Sequence, residues 1–134
     1  MEKEFIPYEQ ALSLKELVFC EPCFGYYYTT NGKDWQFAEK SEYYRLNDEI
    51  NIGPSFSLSA PLYQQAFRWF REKYKIHIVI NVTIIDNWYF ELYNLNDKRN
   101  AEIKTNQNEF KTYEETELAC LNKLIEIVKN NNKQ

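Results

Sequence analysis

The sequence is short of the residues on which most functional motifs are built. Its 134 positions hold one histidine, three glycines, three cysteines and four prolines. So little glycine leaves no phosphate-cradling loop, and no nucleophile elbow is present. A metalloprotease helix needs two histidines, and only His77 exists. As a general base His77 would need a partner to orient it, and the sequence identifies none. Carboxylates are plentiful, but their spacing singles out no catalytic pair. Glycine and proline are too sparse for a linker-rich chain, and there is no internal repeat. No apolar run approaches the roughly 20 residues of a membrane helix. The opening MEKEFIPYEQ lacks the apolar core of a secretory signal. These absences predict a cytoplasmic protein that makes no membrane contact and uses no cofactor. A net charge of −4 works against general affinity for nucleic acid. An odd number of cysteines without export signals predicts reduced thiols.

What the chain has in quantity is aromatic side chains, 17% of residues, eleven of them tyrosine. Its best-patterned stretch runs from Ser59 to Val82. Leu62, Ala66, Phe70 and Tyr74 recur at helical spacing, widened by Tyr63, Phe67 and Trp69. Gln64, Gln65, Arg68, Arg71, Glu72 and Lys73 take the other side. Pro61 suits a first helical turn, with Ser59 or Ala60 as the N-cap. The period then switches to that of a strand. Ile76, Ile78, Ile80, Val82 and Ile84 alternate with His77, Val79, Asn81, Thr83 and Ile85, which predicts an inner face of branched aliphatic chains.

The remaining elements follow in order. Residues 7–18 read as a short helix, with Leu14 off the main stripe. Phe24 to Thr30 reads as a strand that turns at Asn31-Gly32, where both residues accept positive φ, and returns through Trp35, Gln36 and Phe37. Residues 38–58 give no clear element beyond a short extended piece at Ile50 and Ile52. After a tight turn at Asp86-Asn87, Trp88, Phe90 and Leu92 alternate with Tyr89, Glu91 and Tyr93, and a third strand is expected around Ala101, Ile103 and Thr105. Thr112 with Glu115 fits a capping box for a last helix with the stripe Leu118, Leu121, Leu124, Ile125 and Val128, fraying from Asn130. The expected fold is α+β, a single domain. Residues 59–134 form an α-β-β-β-α core, in which two helices cover one face of an antiparallel meander. Residues 1–58 precede it with a helix, a hairpin and an irregular segment.

Three patches spanning most of the chain carry a resemblance. They are Glu21-Pro22-Cys23-Phe24-Gly25-Tyr26-Tyr27, the run from Ala60-Pro61 through Gln65-Ala66-Phe67-Arg68-Trp69-Phe70-Arg71-Glu72-Lys73, and Thr112-Tyr113-Glu114-Glu115 leading into Leu118-Ala119-Cys120-Leu121. Together they resemble small proteins encoded by phages and prophages of gut bacteria. The resemblance implies a mobile-element origin and no particular activity. The helix-strand-strand-strand-helix order is also similar to that of double-stranded-RNA-binding domains. Those domains meet phosphates with lysines at the start of the last helix, where this chain has Glu114, Glu115 and Glu117.

Three groups of residues invite a functional reading. Cys20-Glu21-Pro22-Cys23 has the spacing of a redox or metal pair. A strand-like run follows it rather than the helix start that stabilises a thiolate, and only His77 and Cys120 remain as further ligands. Structural thiols are the simpler reading. Arg68, Arg71, Lys73 and Lys75 form a local basic patch that could touch nucleic acid; a solvated helix face explains it as well. Tyr26, Tyr28, Trp35, Tyr43 and Tyr44 could make an aromatic binding surface, or a second small core. The sequence favours a non-enzymatic accessory protein that binds a host or phage protein, with a second copy of itself as one candidate partner.

Overall fold

The computed structural model describes residues 2–44, 56–96, 102–103 and 109–132, and for residues 40–44, 56 and 102–103 the backbone alone. The fold is α+β, with helices and two small antiparallel sheets. The chain forms two compact units, Met1–Tyr63 and Gln64–Gln134.

In the first unit a short 3-10 turn, Glu2–Glu4, leads to helix α1, Tyr8–Glu16. Pro7 holds the extended N-cap position. The helix ends with Val18 in the left-handed region at φ 69°. Val18 N–H bonds to the Lys15 carbonyl, and Phe19 N–H bonds to the Leu14 carbonyl at 2.9 Å. This is a Schellman closure in which valine takes the place usually given to glycine. Leu14 and Phe19 are both buried, so the off-stripe leucine belongs to the core.

Strands β1, Cys23–Thr29, β2, Gln36–Tyr44, and β3, Phe56–Ala60, form a sheet in the order β2-β1-β3. The expected hairpin is β1-β2, but its turn differs from the expected one. Only Gly32 has positive φ, 77°. Asn31 works through its side chain instead: its Oδ1 accepts the N–H groups of Lys33 and Asp34 at 2.8 and 2.9 Å. Residues 38–44, which showed no clear element in the sequence, continue β2, whereas Ile50, Ile52 and the rest of 45–55 lie outside the described residues. Strand β3 corrects the expected N-cap at Ser59 or Ala60. Both residues pair with β1, Ser59 opposite Tyr26 and Ala60 opposite Gly25. Long-range pairing overrides the local helix-start signal here. Pro61 follows the strand, its carbonyl accepts the Ile6 N–H at 3.0 Å, and the helix begins only at Tyr63.

That helix, α2, is Tyr63–Tyr74. Ala66, Phe67, Trp69 and Phe70 are buried as the periodicity predicts; Gln65, expected outside, is buried too. Lys75 closes the helix at φ 58° and donates its N–H to the Arg71 carbonyl. Strands β4, Ile76–Val82, β5, Trp88–Asn94, and the two-residue β6, Glu102–Ile103, make the expected meander in the order β4-β5-β6. Ala101 and Thr105 lie outside the described residues. Helix α3, Tyr113–Asn132, packs on β4 and β5. Thr112 Oγ1 accepts the Glu115 N–H at 3.1 Å, the N-cap half of the capping box. Cys120, Leu121, Leu124, Ile125 and Val128 are buried, and the helix continues through the asparagines that were expected to fray.

On the inner face of the meander Ile78 stands opposite Leu92 and Ile80 opposite Phe90. Ile84 departs from the expected inner face. It sits in the turn before Asp86, which takes the left-handed conformation at φ 64°, and it is fully exposed.

Candidate functional site

Alternation along β1 divides its side chains between two faces with different fates. Cys23, Gly25, Tyr27 and Thr29 are buried; Phe24, Tyr26 and Tyr28 point the other way. The buried face is organised around Gly25. A Cβ there would stand 2.7 Å from two atoms of the Phe5 ring and 2.9 Å from the Phe37 ring. Absence of that carbon lets the two rings close over the middle of the sheet, their centroids 4.9 Å apart. From Phe37 the ring contacts continue to Tyr27 at 5.5 Å, to Tyr8 at 5.8 Å and to Trp35 at 4.7 Å, the last pair stacked. Tyr27 donates its hydroxyl hydrogen to the Ile6 carbonyl at 2.7 Å. Burial, reinforced by the charge of Glu2, pushes this hydroxyl's pKa up to about 12.

The structure therefore separates the aromatic candidates. Trp35 belongs to the helix side of the first sheet, stacked on Tyr8. Tyr26 and Tyr28 lie together on the opposite face with ring centroids 5.8 Å apart, and Tyr28 donates its hydroxyl hydrogen to Gln36 Oε1 at 2.8 Å. Tyr43 and Tyr44 close β2, and their side chains lie outside the described residues. Phe24, absent from the candidate set, completes the row with 42% of its surface exposed. Its even-numbered parity with Tyr26 and Tyr28 was the available signal. Across the ladder stand Ser59 and Ala38 beside Tyr26, and Ser57 and Gln36 beside Tyr28. Ser59 is 2% exposed and Tyr26 and Tyr28 are half-buried, so this face is partly covered.

The basic residues are split as well. Arg68 and Arg71 share the exposed side of α2 with Gln64 and Glu72. Lys73 lies on the other flank, its ammonium 4.9 Å from the Trp69 ring centroid and 5.5 Å from that of Tyr74. Lys75 follows the helix end. A glutamate beside the arginines and an ammonium held over rings make a weak phosphate-binding stripe.

Cys20 is exposed, Cys23 is buried at the start of β1, and neither is in a disulfide. The Cys23 thiol donates to the Glu21 carbonyl at 3.3 Å. Burial, helped by nearby Glu117, pushes the Cys120 thiol far above the ordinary range, so it stays protonated. Among the described residues no three His, Cys, Asp or Glu side chains are grouped to hold a metal ion. His77 is exposed opposite Tyr93, whose hydroxyl is hydrogen-bonded to Glu91. Among the described residues no helix is long and apolar enough to cross a membrane.

Comparison of the chain with family models, with curated proteins and with solved structures finds no match.

Proposed function

We propose that this is a non-enzymatic accessory protein of phage or prophage origin, working in the bacterial cytoplasm by binding a host or phage protein. The observation that carries the reading is the row Phe24, Tyr26 and Tyr28 on the face of β1 turned away from its aromatic core. Tyrosines supply large contact area with little rotamer entropy to lose, and each brings a polar tip that tolerates solvent when unbound. Both tyrosines are half-buried and Phe24 is exposed, which leaves ring surface for a partner. Retention of a binding partner from a lysate of a gut bacterium by immobilised wild-type chain tests it. Replacing Tyr26 and Tyr28 together by serine is expected to reduce retention about tenfold or more, with an unchanged far-ultraviolet spectrum. Equal retention by the double variant, or none by the wild type, would remove this reading.

Nucleic-acid binding through Arg68, Arg71, Lys73 and Lys75 is the second reading, and the division of these residues between two flanks of α2 counts against it. It requires a gel shift at low salt that disappears steeply as salt rises.

A further inference from the structure

Among the described residues, sheet edges are offered by β2, β3, β4 and β6. Proteins protect such edges by charge, by shortness or by cover. Strand β2 carries Glu39, Lys40 and Glu42, and β6 has two residues, one of them Glu102. At the end of β3, Phe5 bridges Leu62 and Ile6 bonds to Pro61. Among the described residues, strand β4 has none of these devices. Its seven residues, Ile-His-Ile-Val-Ile-Asn-Val, include no charged side chain in a chain that is 27% charged, and no proline or bulge.

The hydrogen-bond register says which backbone groups this edge presents. Thr83 N–H bonds to the Asn87 carbonyl, and Leu95 N–H bonds to the Lys75 carbonyl, at the two ends of the β4-β5 ladder. Odd-numbered residues therefore face β5, and the N–H and C=O groups of Ile76, Ile78, Ile80 and Val82 point to the free edge. A second observation marks the same edge. On the inner face Leu92 and Phe90 are buried, whereas their β4 partners Ile78 and Ile80 are only half-buried, and Val82 is 49% exposed. The apolar layer thus runs out at β4 before it is covered.

We infer that β4 is a dimerisation edge, pairing antiparallel with β4 of a second copy of this chain about a two-fold axis at Val79. The strand is self-complementary in that register. Ile76 of one copy meets Val82 of the other and Ile78 meets Ile80, both as hydrogen-bonded pairs that join the two inner apolar faces. On the other face His77 meets Asn81 and Val79 meets Val79, so no charge is opposed by its like. The meander becomes one six-stranded sheet with an α3 helix from each copy on the same side. This interface uses β4 alone and is independent of the tyrosine row on β1.

Sedimentation of the full chain over a range of concentrations, with amide hydrogen exchange, tests it. A dimer is expected, with the amides of Ile76, Ile78, Ile80 and Val82 protected in proportion to dimer content. Val79→Lys sets two ammonium groups opposite each other at the axis and is expected to weaken the dimer tenfold or more and to release those four amides. Within its own chain the lysine faces Glu91, so the fold is not burdened. Gln64→Lys, an equal charge on an exposed α2 position, should leave the dimer intact. A chain that stays monomeric, a dimer that survives Val79→Lys, or one whose even-numbered β4 amides exchange freely would overturn the inference.

Discussion

The sheet β2-β1-β3 buries a cluster of aromatic rings over a glycine, while the sheet β4-β5-β6 buries the mixed set Ile76, Phe90 and Leu92 under a helix. In the first, the packing partners are flat and large, and they fit because Gly25 contributes no side chain beneath Phe5 and Phe37. In the second, Leu92 and Phe90 are buried on the face that α3 packs against. A ring cluster is filled by shape, and one added carbon has nowhere to go. A helix-covered mixed layer is filled by volume, and a missing carbon leaves a void. The two regions are accordingly sensitive to opposite kinds of change.

The largest effect is expected from a deletion in the second region. Leu121 on α3 is fully buried. Leu121→Ala should cost about 2–5 kcal/mol, the lost transfer of the leucine plus the cavity it leaves. Denaturant midpoints would measure it. A cost below about 1 kcal/mol would mean that this layer collapses freely around the void, and the contrast between the regions would fail there.

An addition in the first region comes next. Gly25→Ala should cost about 1–3 kcal/mol, since the new methyl overlaps two rings that hold each other in place. The same experiment sharpens the comparison if Phe37→Leu, which makes room, recovers part of the loss in the double variant. Additive losses would show that the rings do not press on the Gly25 position.

The two regions also differ in how much of each is legible in the sequence. The meander is legible because its strands are sequential neighbours joined by short connections, so alternation in each strand and a turn signal between β4 and β5 are enough. The first sheet is legible only as far as its β1-β2 hairpin. Its third strand pairs with β1 from a distant part of the chain, and Phe56-Ser57-Leu58-Ser59-Ala60 carries small polar residues where a strand signal needs branched ones. Just ahead of Pro61, Ser59 and Ala60 have the pattern of a helix start, which no local rule corrects. Among the aromatic candidates, composition puts Trp35 with Tyr26 and Tyr28. Only the position of α1, which brings Tyr8 against Trp35, shows that they serve different faces.

The smallest predicted effect isolates one polar contact of the ring cluster. Tyr27→Phe keeps the ring and removes the hydroxyl that donates to the Ile6 carbonyl, for a loss of about 1 kcal/mol at neutral pH. The pH dependence of that loss separates the hydrogen bond from packing. Burial first, and Glu2 second, raise the hydroxyl's pKa from 10.0 to about 12 in the folded chain. Between those values the unfolded chain gives up a proton that the folded chain retains, so stability falls as pH rises. The contribution of Tyr27 is whole below pH 10 and is lost as pH climbs through 12. Urea midpoints of wild type and Tyr27→Phe should therefore stand apart at neutral pH and converge between pH 10 and 12, with lysine titration common to both. A gap that stays constant across that range would mean that the hydroxyl is not held in the cluster as the 2.7 Å contact indicates.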